Sequence, residues 1–82
     1  MVFADDIRSV ILRLADQRSG QVFYATEVAR TVDPKNWKNL MGQVRLVVSV
    51  LIKEGKIILR NQNSSADVTG IRGPIRLSKP PH

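Results

Sequence analysis

From Trp37 onward, apolar residues recur at three-four spacing for more than four helical turns: Trp37, Leu40, Met41, Val44, Val47, Val48 and Leu51. Gly55 closes the run just past Lys53 and Glu54, where a residue able to adopt a left-handed conformation ends a helix. A helix of this length with one apolar side needs the rest of the chain to cover that side. The chain has 82 residues, and a domain of that size buries only about 60% of its unfolded surface, enough for a single core. Residues 1–78 are therefore expected to form one domain. Residues 79–82, Lys-Pro-Pro-His, cannot continue a sheet and are expected to be a disordered tail.

The other elements follow from local pattern. Across residues 5–19, Ile7, Val10, Ile11 and Leu14 fall on one helical face, Asp5 and Asp6 complement the N-terminal dipole, and Gly20 supplies the stop. Residues 21–24, Gln-Val-Phe-Tyr, read as a short strand. Residues 25–30 have helix-forming composition, with Val28, Ala29 and Val32 as its candidates for burial. Asp33-Pro34 marks a turn, because Asp can cap the next helix while Pro fits a first helical turn and disfavours continuation of the helix before it. After Gly55, residues 56–60 read as a strand, 61–67 as a polar loop and 75–77 as a returning strand. No internal repeat or low-complexity tract is present.

Helix, short strand, helix, turn, longer helix and hairpin is the order of a winged helix-turn-helix. This is an α+β domain of three helices with a small antiparallel β-hairpin wing plus a short strand. None of these elements is stable alone, whereas together they cover one another's apolar faces.

Residues 26–30 (Thr-Glu-Val-Ala-Arg), Trp37-x-x-Leu40-Met41-x-x-Val44-Arg45, Leu51-x-x-Glu54-Gly55-x-Ile57 and residues 72–77 (Arg-Gly-Pro-Ile-Arg-Leu) also carry a family resemblance. Together they resemble a mostly bacterial family of uncharacterised domains, catalogued as a domain of unknown function with a winged-helix fold. The likeness runs from about Ile7 to Leu77. Its most specific parts are the Arg-Gly-Pro-Ile-Arg-Leu run and the Trp-to-Arg spacing. Tyr24-Ala25 departs from the family's pattern of a capping residue followed by Pro. The resemblance implies the fold and no activity, so function has to be argued from surfaces.

Charge is the first such argument. The formal net charge is +6, but residues 1–33 carry four basic and five acidic side chains while residues 34–82 carry nine and two, giving −1 and +7. A segregated excess suits a polyanion, although solubility alone accounts for similar charges in many small domains. On a helical projection Trp37, Leu40, Val44, Val48 and Leu51 share one side of the third helix. Opposite them stand Lys38, Asn39, Gly42, Gln43, Arg45, Leu46, Ser49, Val50 and Lys53.

In helix-turn-helix docking the N-terminal turns of the second motif helix enter the major groove, where Asn and Gln pair with adenine and Arg or Lys with guanine. Lys35, Asn36, Lys38, Asn39, Gln43 and Arg45 have that chemistry at that end, and Gly42 would permit close approach to a backbone. The plain alternative is a solvated surface helix. Lys56, Arg60, Arg72 and Arg76 lie on the wing strands or beside them, where they can meet phosphates. Arg76 should face solvent between inward-facing Ile75 and Leu77, and Arg72 can equally serve to fix a turn. A lone Trp37 on the apolar side reads as a core anchor before it reads as a base-stacking platform.

Leu46 and Val50 interrupt the polar side. Cover by the wing or by the first helix is the expected arrangement and would favour DNA, whereas joint exposure would favour a protein partner.

Catalysis finds little to work with. The only histidine is His82, cysteine is absent, the carboxylates are scattered, and neither a Gly-rich phosphate loop nor metal-ligand spacing occurs. No enzymatic activity, cofactor, metal or small-molecule substrate is expected. The longest nearly unbroken apolar stretch, residues 46–52, is too short to cross a bilayer, and the first six residues, Met-Val-Phe-Ala-Asp-Asp, have two acidic and no basic side chains where a signal peptide needs positive charge. The expectation is a cytoplasmic, non-enzymatic module that binds double-stranded DNA through its third helix and wing. The alternative is a protein-interaction module whose basic face meets an acidic partner.

Overall fold

The computed structural model describes residues 4–18, 20–60 and 74–80. Three helices, α1 (Ala4–Arg18), α2 (Ala25–Val32) and α3 (Trp37–Lys53), pack together with a small antiparallel sheet of β1 (Phe23–Tyr24), β2 (Ile58–Leu59) and β3 (Arg76–Ser78). The sheet order is β1-β3-β2, so the last strand lies between the other two. Phe23 pairs with Leu77 and Tyr24 with Arg76 on one side of β3, while Ile58 pairs with Ser78 and Leu59 with Leu77 on the other. The early strand thus joins the returning strand, as its aromatic, β-prone residues require for burial.

One core collects the predicted faces. Ile7, Ile11 and Ala15 of α1, Ala25, Val28 and Ala29 of α2, and Val44, Val47, Val48 and Leu51 of α3 enclose Phe23, Ile57, Ile75 and Leu77. Phe23 and Leu77 are completely buried as a cross-strand pair, and burying a side chain of that size stabilises by about 1.5–3 kcal/mol. The alternation Ile75 in, Arg76 out, Leu77 in is as the period of a strand predicts. Gly20 and Gly55 both have positive φ, 92° and 76°, where each ends a helix.

Three local features add detail, and the second differs from expectation. Tyr24, at the N-cap of α2, makes no side-chain cap, and the Ala25 N–H instead donates to the Ile75 carbonyl at 3.1 Å. β1 can therefore run directly into α2 without a capping residue. Asp33 caps the turn at 34–36 rather than α3 itself, as described below. At the start of the expected tail, Lys79 Nζ lies 3.1 Å from Asp16 Oδ1, between two exposed side chains. The polar loop at 61–67, Arg72 and residues 81–82 of the expected tail lie outside the described residues.

Two further ion pairs tie α1 to the other helices. Arg18 Nη2 donates to Glu27 Oε2 at 2.6 Å, linking α1 to α2, and Arg8 Nη2 donates to Glu54 Oε1 at 2.7 Å, linking it to the end of α3. The Arg8 guanidinium holds the Glu54 carboxyl below its ordinary value, chiefly through that hydrogen bond, and Glu54 in turn raises Arg8.

Candidate functional site

The corner between α2 and α3 is set by Asp33. Its backbone N–H donates to Ala29 O at 2.9 Å and so ends α2, while its Oδ1 accepts the N–H groups of Lys35 at 3.3 Å and Asn36 at 3.2 Å. The carboxylate satisfies the turn, and α3 starts one residue later. Asn36, at the N-cap of α3, makes no side-chain cap, and its carbonyl accepts the Asn39 N–H at 3.0 Å. The Asn36 amide therefore stays outside the cap and exposed.

Trp37 gathers charge at this corner. It is half-buried against the core, and the Arg30 guanidinium lies 4.5 Å from its ring centroid with the Lys38 ammonium at 5.7 Å. Such contacts are worth about 0.5–1 kcal/mol each when exposed. Two like charges from different helices are thus held against one indole. Arg30 was not among the residues that sequence reasoning selected, because it belongs to the segment whose net charge is −1. The available signal was a cation closing one helix shortly before an aromatic residue opens the next.

The dipole points the same way. The first turns of α1 and α2 carry Asp5, Asp6 and Glu27, but that of α3 carries no acidic residue and instead has Lys38. Indeed α3 contains no carboxylate along its whole length. A cation in the first turn of a helix is locally unfavourable, so Lys38 stands where helix formation alone would select against it.

Lys38, Gly42, Leu46 and Val50, each four residues apart, form one exposed ridge along α3. Lys35, Asn36 and Asn39 are exposed beside its N-terminal half and Gln43 is half-buried. A Cβ built on Gly42 meets nothing within 4 Å, so no contact within the described chain requires glycine there. Glycine in a helix interior costs about 0.5–1 kcal/mol relative to alanine.

The expectation that Leu46 and Val50 are covered does not hold, since they are 64% and 49% exposed. α1 packs on the opposite side of α3, where Ile7 and Ile11 share the core with Val44, Val48 and Leu51. The ridge therefore faces away from the core.

The remaining predicted residues divide into groups. Lys56, Arg60 and Arg76 are exposed, and Arg60 and Arg76 are joined through the Arg60 N–H and the Arg76 carbonyl at 2.8 Å. Arg45 stands apart from the ridge. It is half-buried and lines a cavity with Tyr24, Thr26, Met41, Pro74 and Ile75. Arg72 lies outside the described residues. Among the described residues no group of three or more His, Cys, Asp or Glu side chains converges to hold a metal, and no helix is long and apolar enough to cross a membrane.

The family model described as "Protein of unknown function (DUF3253)" matches residues 4–80. No curated protein matches the chain.

Proposed function

The chain belongs to that family of unknown function, and we propose that it is a winged helix-turn-helix module that binds double-stranded DNA without catalysing a reaction. α2, the Asp33 turn and α3 serve as the helix-turn-helix, and the β2 and β3 strands as the base of the wing. The observation that carries this reading is the corner itself. Arg30 and Lys38 are held on Trp37 beside exposed Lys35, Asn36 and Asn39, at a helix whose first turn has no acidic residue, the Asp33 carboxylate being engaged by the N–H groups of the preceding turn. Phosphates supply the negative line that such a corner attracts, and Asn39 and Gln43 are suited to adenine edges in the major groove. Gly42 follows one turn after Lys38 and lets the ridge approach the duplex closely. Lys56, Arg60 and Arg76, and Arg72 by its place in the sequence, add phosphate contacts without sequence information.

Chemical-shift mapping with a mixed-sequence duplex library tests the proposal. Perturbations centred on residues 30–43 are expected, and their absence at low salt contradicts it. Asn39→Ala or Gln43→Ala should relax sequence preference, whereas Arg60→Ala or Arg76→Ala should weaken all duplexes alike.

The exposure of Leu46 and Val50 favours a second reading, in which the same helix meets a protein. The apolar pair is followed by Lys53, with no carboxylate on α3, so the matching partner is an acidic chain with an apolar centre. Perturbation by duplex confined to residues 30–43 leaves the Leu46 and Val50 half available for that partner. Leu46→Ser with Val50→Ser should then abolish partner binding while leaving duplex affinity unchanged.

A further inference from the structure

The cavity beside Arg45 opens between the start of α2, the middle of α3 and the sheet. Its volume is about 360 Å³, and Tyr24, Thr26, Met41, Arg45, Pro74 and Ile75 line it. That volume falls within the range that accommodates a small organic molecule. Met41, Pro74 and Ile75 present apolar surface, Tyr24 and Thr26 carry hydroxyls, and among the described residues no carboxylate lines the space. Among the described residues, the only formal charge on the wall is the Arg45 guanidinium.

Arg45 is also incompletely satisfied. Its Nε is shielded from solvent and has no hydrogen-bond acceptor. A shielded N–H without an acceptor is unfavourable, and a planar guanidinium is best satisfied by a group offering two oxygens in the same plane. The shielded Nε is itself closed to an occupant, so an anion in the cavity would meet the remaining N–H groups of the guanidinium.

We propose that this cavity binds a small organic carboxylate, its two oxygens on the Arg45 guanidinium and its apolar body against Met41, Pro74 and Ile75. The Thr26 and Tyr24 hydroxyls are the further donors on the wall. This site is separate from the ridge of α3 and does not depend on the duplex reading. Because its wall joins α3 to β1 and to the residues entering β3, an occupant bound only by the folded chain also raises its thermal stability.

The probe is 3-phenylpropionate, titrated into the full chain and compared with the neutral 3-phenylpropanamide, by two-dimensional amide spectra and thermal unfolding. The carboxylate should give saturable shifts at Tyr24, Thr26, Met41, Arg45 and Ile75 and raise the melting temperature, while the amide binds at least about tenfold more weakly because it lacks the charge. Arg45→Met, which keeps the aliphatic stem, should weaken the carboxylate by a similar factor, and Arg45→Lys should retain part of the affinity. Equal binding of carboxylate and amide, shifts that do not saturate, or undiminished binding by Arg45→Met overturns the proposal. The comparison of the two probes uses the unaltered chain, so it decides the matter even if Arg45→Met folds poorly.

Discussion

Two halves of one exposed ridge differ in chemistry. The N-terminal half of α3 offers Lys38 and Gly42 with Lys35, Asn36 and Asn39 beside them, and the C-terminal half offers Leu46 and Val50. Both project from the same helix, on the side away from the core, so neither half is explained by folding. A helix that merely solvates its domain needs polar residues along the whole ridge. The first half carries cations where the dipole opposes them and a glycine where helix formation disfavours it. The second half exposes large apolar side chains where water disfavours them. Under the proposed function each departure serves a contact, the first with phosphates and the second with a protein.

Removing the cations of the first half should have the largest effect. Lys35→Ala with Lys38→Ala should reduce duplex affinity more than about tenfold near 0.15 M salt, and should make the log-log salt slope less negative by about 1.8 if each lysine neutralises one phosphate. Filter binding across salt concentrations checks this, and an unchanged slope breaks the assignment of that half to phosphates.

Gly42→Ala separates folding from binding. Its added Cβ meets nothing within the described chain, so denaturant unfolding should show a gain of about 0.5–1 kcal/mol. Duplex affinity should nevertheless fall, because the methyl group stands between the helix and its target. A variant that is both more stable and equally tight in binding removes the case for close approach at that turn.

Leu46→Ser with Val50→Ser acts on the other half. Both residues are substantially exposed, so stability should change by no more than about 1 kcal/mol, and duplex affinity should stay within about twofold. A large loss of stability would place the pair in the fold rather than at an interface.

The smallest effect concerns the pair that anchors the end of α3. Glu54 has a carboxyl pKa depressed by Arg8, so the stabilisation is present above the ordinary carboxylate range and is lost as pH falls through the depressed value. Thermal unfolding of the unaltered chain and of Glu54→Gln should therefore differ slightly near about pH 6 and converge as pH falls through that depressed value. A difference that persists at the acid end contradicts this origin.

The helices and their buried sides were legible because three-four spacing states both at once. The limits and core of α3 follow from Trp37 to Leu51 and from Gly55. The strand β1 was legible as well, since Val22, Phe23 and Tyr24 are β-prone. What could not be read were relations across the turn. Arg30 and Lys38 meet on Trp37 only because Asp33 folds the turn back, and no periodicity expresses that. The position of Arg45 on the flank of α3 likewise depends on what the sheet places next to it. Leu46 and Val50 were identifiable as misplaced on a polar side, but whether another element covered them depended on the side of α3 chosen by α1.

The central claim, that the N-terminal half of α3 and the basic strands meet duplex phosphates, is tested most directly by titrating a mixed duplex with the unaltered chain over a range of salt concentrations. Neutralisation of about four phosphates predicts a log-log slope of about −3.6. Absence of detectable duplex binding at low salt contradicts it.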